Sequence, residues 1–294
     1  MTNTKIASLF WIHALSPLHV GSGRGLGYID LPITREKVTN YPYIPGSAVK
    51  GVFADHHGAT DDKRKGDSLK EAAFGTSNND ASNSGSLVFT DARLVCLPVR
   101  SMYGTFAWCT SPTVLRRFKR DAQSVEMDVV KNIPNVLQTE GLYAGTTELI
   151  SEHQIYLEDL DIKAKPETDA QEWAEYFAKK IFPENMDEFV KRFVILHDDV
   201  FNFLCETGTE VAAHIKIASE KKTVAPGALW YEESLPAESI LCGIIWCDRV
   251  YGGKHTQAEL MDKFTQDVPM LQFGGKATTG KGIVRCLFDK KGEN

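Results

Sequence analysis

The stretch His19-Val-Gly-Ser-Gly-Arg-Gly-Leu-Gly-Tyr-Ile-Asp-Leu-Pro-Ile-Thr-Arg-Glu36 organises the reading of this chain. Glycine recurs at alternate positions, Gly21, Gly23, Gly25 and Gly27. Glycine takes positive φ and permits close backbone approach at the least steric cost. A single carboxylate follows at Asp30, Pro32 fixes the exit, and the Arg35-Glu36 pair ends the segment. From these residues alone two readings stand side by side. Either the glycine-bordered Asp30 is available for chemistry, or this is a long turn after the first strand with Asp30 as an ordinary turn residue.

Upstream, residues 5–18 carry the β-formers Phe10, Trp11 and Ile12 and are expected as a strand leading into the loop. Downstream, Ile44-Pro-Gly-Ser-Ala-Val-Lys-Gly51 turns into a helix with Ser47 as its N-cap and Lys50 in its first turn, a place where an anion can sit. Near the far end, residues 271–284 gather Gly274, Gly275, Gly280 and Gly282 with Lys276 and Lys281. Amides freed by glycine form nests for phosphate, and Thr278 and Thr279 add hydroxyl donors. Gly-Lys-Gly opens a strand here, whereas a P-loop needs Gly-Lys-Ser/Thr opening a helix.

Between these loops, residues 61–85 are polar and expected as a flexible surface loop with one short helix at 69–74. Residues 86–99 read as one strand. Ser111-Pro112 opens a helix whose apolar side is Val114, Leu115 and Phe118, ringed by Arg116, Arg117, Lys119 and Arg120, a cluster whose commonest meaning is a solvated face. Residues 125–165 are irregular and expected as an insertion. Helices follow at 170–180 and 185–193, with Asp198-Asp199 as caps of a short helix through Phe203. Residues 207–217 and 227–235 are β-rich arms around a charged turn at 219–223, hence a long hairpin suited to reaching a partner or a nucleic acid. A strand at Ile240–Cys247, a helix at 256–264 and a strand at 282–288 complete an α+β order, a ferredoxin-like or RRM-type core with large insertions in one domain, 1–294.

Composition narrows the classes further. The chain has 294 residues, 43% hydrophobic, which is enough for a real core. Its six cysteines lie in apolar runs without ligand spacing and read as reduced core thiols. The first residues lack a signal-peptide pattern and no apolar run could span a bilayer, so a cytoplasmic protein with no membrane role is expected. The net charge of −6 argues against a free-standing nucleic-acid binder but not against one subunit among many. Asp55-His56-His57 suggests a two-metal phosphoesterase but lacks the companion aspartates, and its bland reading is a helix C-terminus. Asp61-Asp62 and Asp198-Asp199 lack further metal ligands.

Taken together, His19-x-Gly-Ser-Gly with Leu-Gly-x-x-Asp30-x-Pro-Ile-x-Arg-Glu, Ile-Pro-Gly-Ser-x-x-Lys-Gly at 44–51, Thr-Ser-Pro-x-Val-Leu-x-Arg-Phe-Lys-Arg-Asp at 110–121, Gly-x-Leu-Trp-Tyr-Glu-Glu at 227–233 and the closing Gly-Gly-x-x-Thr-x-Gly-Lys-Gly span nearly the whole chain. In these motifs it resembles the RAMP superfamily of CRISPR effector proteins, in particular the backbone subunits (fourth Cmr proteins) of type III-B Cmr complexes. The resemblance implies an RRM-type palm with fingers and a β-hairpin thumb at 207–235, stacked in several copies along a crRNA beside other Cmr subunits. It implies crRNA contact through Lys50, Gly274, Gly275, Lys276 and Lys281, with Ser47, Thr278 and Thr279 carried beside them as RNA-binding candidates from the residue reading. It implies endonucleolytic cleavage of the paired target RNA at Asp30, dependent on a divalent metal such as Mg²⁺ or Mn²⁺ with Asp30 as ligand. His19 and Glu232 are carried as secondary catalytic candidates, against a loop-bracing histidine and a solvated hairpin carboxylate. Two rivals stay open: a non-catalytic crRNA-binding scaffold, and a metabolic enzyme using its glycine loops for a phosphorylated small molecule.

Overall fold

The computed structural model describes residues 6–23, 25, 27–59, 68–75, 84–217, 224–251 and 254–289. The tip of the expected hairpin at 219–223, and most of 61–85, lie outside them. The first strand, β1 (Ile6–Ala14), pairs antiparallel with β13 (Ile240–Cys247) on one side and β15 (Ile283–Phe288) on the other, so that Trp11 faces Cys242 and Leu287. Beyond β13 comes β4 (Ala92–Arg100), again antiparallel. Ranked by position in the chain, the spatial order β15-β1-β13-β4 is fourth, first, third, second. This is the expected split βαβ core.

β1 shows why the strand reads as an unbroken apolar run. Alternate side chains of a strand point to opposite faces. Phe10 and Ile12 join one cluster with Phe53 of α1 (Gly46–His56) and Phe264 of α7 (Gln257–Phe264). Leu9 and Trp11 join another with Phe118 of α3 (Pro112–Ser124) and Trp173 and Phe177 of α4 (Thr168–Ile181). Helices therefore cover both faces, and neither face of the core can be open to bases as in a sheet that reads single-stranded RNA by stacking.

The sheet continues past β4 into territory expected to be irregular. β5 (Phe106–Thr110) pairs with β4, and β10 (Phe193–Leu196) lies parallel to β5. β6 (Glu140–Tyr143) follows, then β9 (Leu160–Pro166), β8 (Gln154–Leu157) and β7 (Ile150–Ser151). The short β2 (Tyr43–Ile44) and β3 (Leu87–Phe89) attach to β4 and β13, and β14 (Val268–Gln272) pairs with β15 at the far edge, giving 13 strands among the described residues. Residues 125–139 are irregular as expected, but residues 140–166 supply four strands of the sheet, a correction with a visible cause. In β9, Ile162 and Ala164 are buried while Asp161, Lys163 and Lys165 are exposed, a period of two. The strand expected at 86–99 is two, broken at Thr90-Asp91, and the helix at 185–193 is the shorter α5 (Met186–Lys191) before β10.

Two expected caps are also replaced. Ser47 lies inside α1 and is exposed; Pro45 stands at the cap position, and the Gly46 amide donates instead to Asp91 Oδ1 (2.8 Å) across the chain. A Cβ on Gly46 would lie 2.5 Å from the Phe89 carbonyl oxygen, so only glycine lets the helix start there. In α6 (Asp198–Thr207) the cap is His197, whose ring accepts from the Asp199 amide. Asp198 is thereby left to bond the amide and hydroxyl of Thr113 (2.9 and 2.8 Å), tying the starts of α6 and α3 together. Short α2 (Ser68–Phe74) matches the helix expected within 61–85. The hairpin arms form β11 (Glu210–Ile217) and β12 (Val224–Ser234), a separate two-stranded sheet.

All six cysteines are buried and unpaired. Burial pushes the His57 imidazole down to about 4, and its ring packs on Phe74 and Phe264, which settles the Asp-His-His motif as a helix end. Among the described residues no helix is long and apolar enough to cross a membrane. Phe177 is fully buried between Trp11, Phe118 and Trp173. Phe177→Ala is expected to cost about 4 kcal/mol, read as a lower guanidinium midpoint at unchanged slope.

Candidate nucleic-acid interface

Where β1 ends, three segments distant in sequence converge. Leu18 exchanges backbone hydrogen bonds with Leu235 at the foot of β12 (2.8 and 2.9 Å). The Gly282 amide donates to Pro17 O (2.8 Å) and the Gly275 amide to His19 O (2.9 Å). The opening and closing glycine loops are therefore in contact with each other and with the hairpin. At Gly274, with φ +73°, a Cβ would lie 2.1 Å from the His19 carbonyl oxygen, and at Gly21 it would lie 2.9 Å from His19 Nε2. Glycine is needed here for the loops to approach one another.

His19 sits at the centre, 6% exposed. Its Nδ1 lies 2.6 Å from the Glu233 carbonyl oxygen, and because a carbonyl only accepts, Nδ1 carries the proton. The ring braces the loop to the hairpin.

Asp30 is held differently. Its neighbour Leu31 runs beside β12, donating to Tyr231 O and accepting from the Glu233 amide (3.0 Å each). The Tyr231 amide then donates to Asp30 Oδ2 (2.8 Å), while the residue itself stays exposed. The carboxylate is aimed by a backbone group and open to solvent.

The other acidic residues of the motifs are neutralised. Glu36 takes a two-pronged contact from Arg117 and lies 3.6 Å from Arg93. Burial opposes its ionisation, but the hydrogen bonds from Arg117 and Thr39 outweigh it and hold the carboxyl below its ordinary value. Glu233, 3% exposed, accepts from Arg35, Thr209 and the Ile33 amide. Glu232, 1% exposed, is gripped by Lys281 Nζ at Oε1 (2.7 Å) and Lys276 Nζ at Oε2 (3.1 Å). It is neither a solvated hairpin carboxylate nor a group free for catalysis.

On α3 only Arg117 is drawn in, to Glu36; Arg116 and Arg120 stay exposed, pairing at the surface with Asp198 (3.3 Å) and Asp121 (2.9 Å), so most of the cluster is the solvated face expected. In the closing loop Gly274, Gly275, Thr278 and Thr279 are exposed. The Thr279 hydroxyl donates to Lys276 O (2.9 Å), and the amides of Thr279, Gly280 and Lys281 bond within the loop, so only part of the expected nest is open. Lys50 is half-buried on α1, reached from the opening loop through β2, where the Tyr43 amide donates to Thr34 O (3.3 Å).

Two contributors escaped the sequence reading. Tyr231 acts through its backbone amide, which no side-chain pattern reveals. Val211, Ile215, Leu229 and Tyr231 alternate along the two hairpin strands and are 41–53% exposed, an apolar outer face that the period-two spacing could have disclosed. No group of three His, Cys, Asp or Glu side chains converges among the described residues. With Glu232 held by lysines and His19 by a carbonyl, Asp30 is left as a single ligand, and the donor set does not fit a resident metal ion.

Burial works to raise the Glu232 pKa, but hydrogen bonds and charges from Lys281 and Lys276 hold it below 4.5, its ordinary value. A lowered folded-state pKa contributes stability that is present above the unfolded value and lost as pH falls through the folded one. Glu232→Gln is expected to cost about 3 kcal/mol near neutral pH. The gap to the wild-type melting temperature should narrow as pH drops below 4.5.

Residues 11–285 match the family model described as RAMP superfamily. A Pyrococcus furiosus protein, CRISPR system Cmr endoribonuclease Cmr4, is 34% identical over 299 residues, covering 98% of this chain and 97% of the relative. CRISPR system CMR subunit Cmr4 of Saccharolobus solfataricus is 25% identical over 318 residues, covering 98% of each. The crystal structure of oligomeric Cmr4 from Pyrococcus furiosus superposes with a TM-score of 0.73 at 25% identity, covering 96% of this chain and 97% of that one. A chain of the type III-B Cmr-beta apo cryo-EM structure shares the fold, with a TM-score of 0.75 at 22% identity and coverage of 97% and 98%. With residues 11–285 matched by the family model and a 34% identical relative covered over nearly its whole length, this chain belongs to the RAMP superfamily.

Proposed function

We propose that this chain is a crRNA-binding backbone subunit of a type III-B CRISPR effector and that it cuts the crRNA-paired target RNA at regular intervals, with Asp30 as the catalytic carboxylate. The observation that carries this is the setting of Asp30, exposed, aimed by the Tyr231 amide, and, among the described residues, without a paired lysine or arginine. In this reading copies of the chain stack along the crRNA in the cytoplasm, beside other Cmr subunits. The name of the Pyrococcus furiosus relative and the oligomeric crystal form of Cmr4 support it.

Because helices cover both sheet faces, RNA meets the chain at the loops and the hairpin. The closing loop and Lys50 hold the crRNA backbone, and the hairpin's apolar face meets bases of the paired strands. At Asp30 the carboxylate accepts the proton of a target 2′-hydroxyl as that oxygen attacks the adjacent phosphorus. The bond to the 5′-oxygen breaks, and that oxygen takes a proton from solvent, leaving a 2′,3′-cyclic phosphate and a 5′-hydroxyl. A lone carboxylate gives useful rates only when the RNA is held in line with the attacking oxygen, and the crRNA duplex supplies that geometry. Asp30 would be the single protein ligand for the divalent ion expected from the resemblance, which could be held only with RNA bound and would supply positive charge at the scissile phosphate.

The hydrogen bond from Tyr231 also favours a second reading, in which Asp30 only braces the hairpin of a non-catalytic scaffold. Asp30→Asn keeps an acceptor oxygen for that amide and removes the charge. In the reconstituted complex with a labelled target, it should lower the cleavage rate by about 100-fold or more with assembly intact; unchanged cleavage would leave the scaffold. A chelator is expected to abolish cleavage by the assembled wild-type complex without dissociating it, as checked by gel shift.

A further inference from the structure

Two lysines of the closing loop grip one buried carboxylate at the junction of loop and hairpin. They are not equivalent. Lys281, with 17% of its side chain exposed, has a second anchor at Ser234 Oγ (2.9 Å) besides Glu232 Oε1 (2.7 Å). Lys276, with 36% exposed, touches Glu232 Oε2 (3.1 Å) from a left-handed backbone position (φ 67°), its ammonium 5.9 Å from the Trp230 ring centre. If Lys276 leaves, Glu232 keeps Lys281 and no buried charge is orphaned. If Lys281 leaves, Ser234 loses its partner and the more exposed lysine must neutralise Glu232 alone. An uncompensated buried charge is the costlier outcome.

We propose that Lys276 is the cation the loop transfers to an RNA phosphate, that Lys281 stays on the hairpin as a structural tie, and that Glu232 is the internal anion with which RNA competes. Glu232 spans two ammonium groups with its two oxygens, as the two non-bridging oxygens of a phosphate would. It holds Lys276 when RNA is absent and keeps the loop ordered. His214, stacked on Trp230 (5.6 Å, 17°) with Nε2 4.0 Å from Glu232 Oε2, walls the same side. This deepens the proposed function and rests on its crRNA-binding part.

The test is fluorescence anisotropy of the full chain with a labelled single-stranded RNA across a KCl series. Lys276→Ala should reduce the slope of log affinity against log salt by about 0.7, one phosphate contact on a single strand. Lys281→Ala should leave the slope unchanged and lower the melting temperature. Glu232→Gln should tighten binding about fivefold, the scale of one ion-pair competitor at a half-exposed lysine, despite its lower stability. Weaker binding by Glu232→Gln with a native circular dichroism spectrum would overturn the proposal. So would a slope change in Lys281→Ala that Lys276→Ala lacks, a result that needs no variant of Glu232. A wild-type chain without salt-dependent RNA affinity would defeat the crRNA-binding reading itself, and this inference with it.

Discussion

Adjacent residues of a strand face opposite ways, and at the foot of β12 both of them are carboxylates out of contact with water. Glu233 turns toward the opening loop and meets Arg35; Glu232 turns toward the closing loop and meets Lys276 and Lys281. A buried charge demands a partner, so each loop is obliged to present its cation at a fixed place. That obligation holds the hairpin upright between the two loops, and Asp30 takes its orientation from the segment so held, through the Tyr231 amide.

The sheet imposes the complementary constraint. With Phe10 and Ile12 committed to one helical layer and Leu9 and Trp11 to the other, the core has no free face. Chemistry is pushed to the end of β1, where glycine takes over from apolar residues. The change in composition at His19–Gly27 marks the border between scaffold and working surface.

Much of this was legible in the sequence where local chemistry acts alone. Ser111-Pro112 caps its helix as expected, with the Ser111 hydroxyl accepting from Val114, and Thr256 with Glu259 forms a capping box. The four core strands, the hairpin arms and the two glycine loops fell where period and composition placed them. Local pattern is silent where a distant residue takes over a local task. Asp91 replaced Ser47 at the start of α1 and His197 freed Asp198 to tie α6 to α3. Strands β6, β7 and β8, of two to four residues, are too short for a window of sequence to reveal them, whereas β9 carries a legible period of two. At the site, Asp30 was visible as an acid bordered by glycine. The fates of Glu232 and His19 depended on partners more than 40 and more than 200 positions away, Lys281 and Glu233.

That separation has a bearing on biosynthesis. The His19–Glu233 contact spans 214 positions, and the Gly275–His19 bond joins the first strand to a loop close to the last one. Closing contacts over such distances comes late in folding. On the ribosome the opening loop must wait, without its brace, until nearly the entire polypeptide has emerged. A product terminated before Tyr231 therefore lacks the amide that orients Asp30.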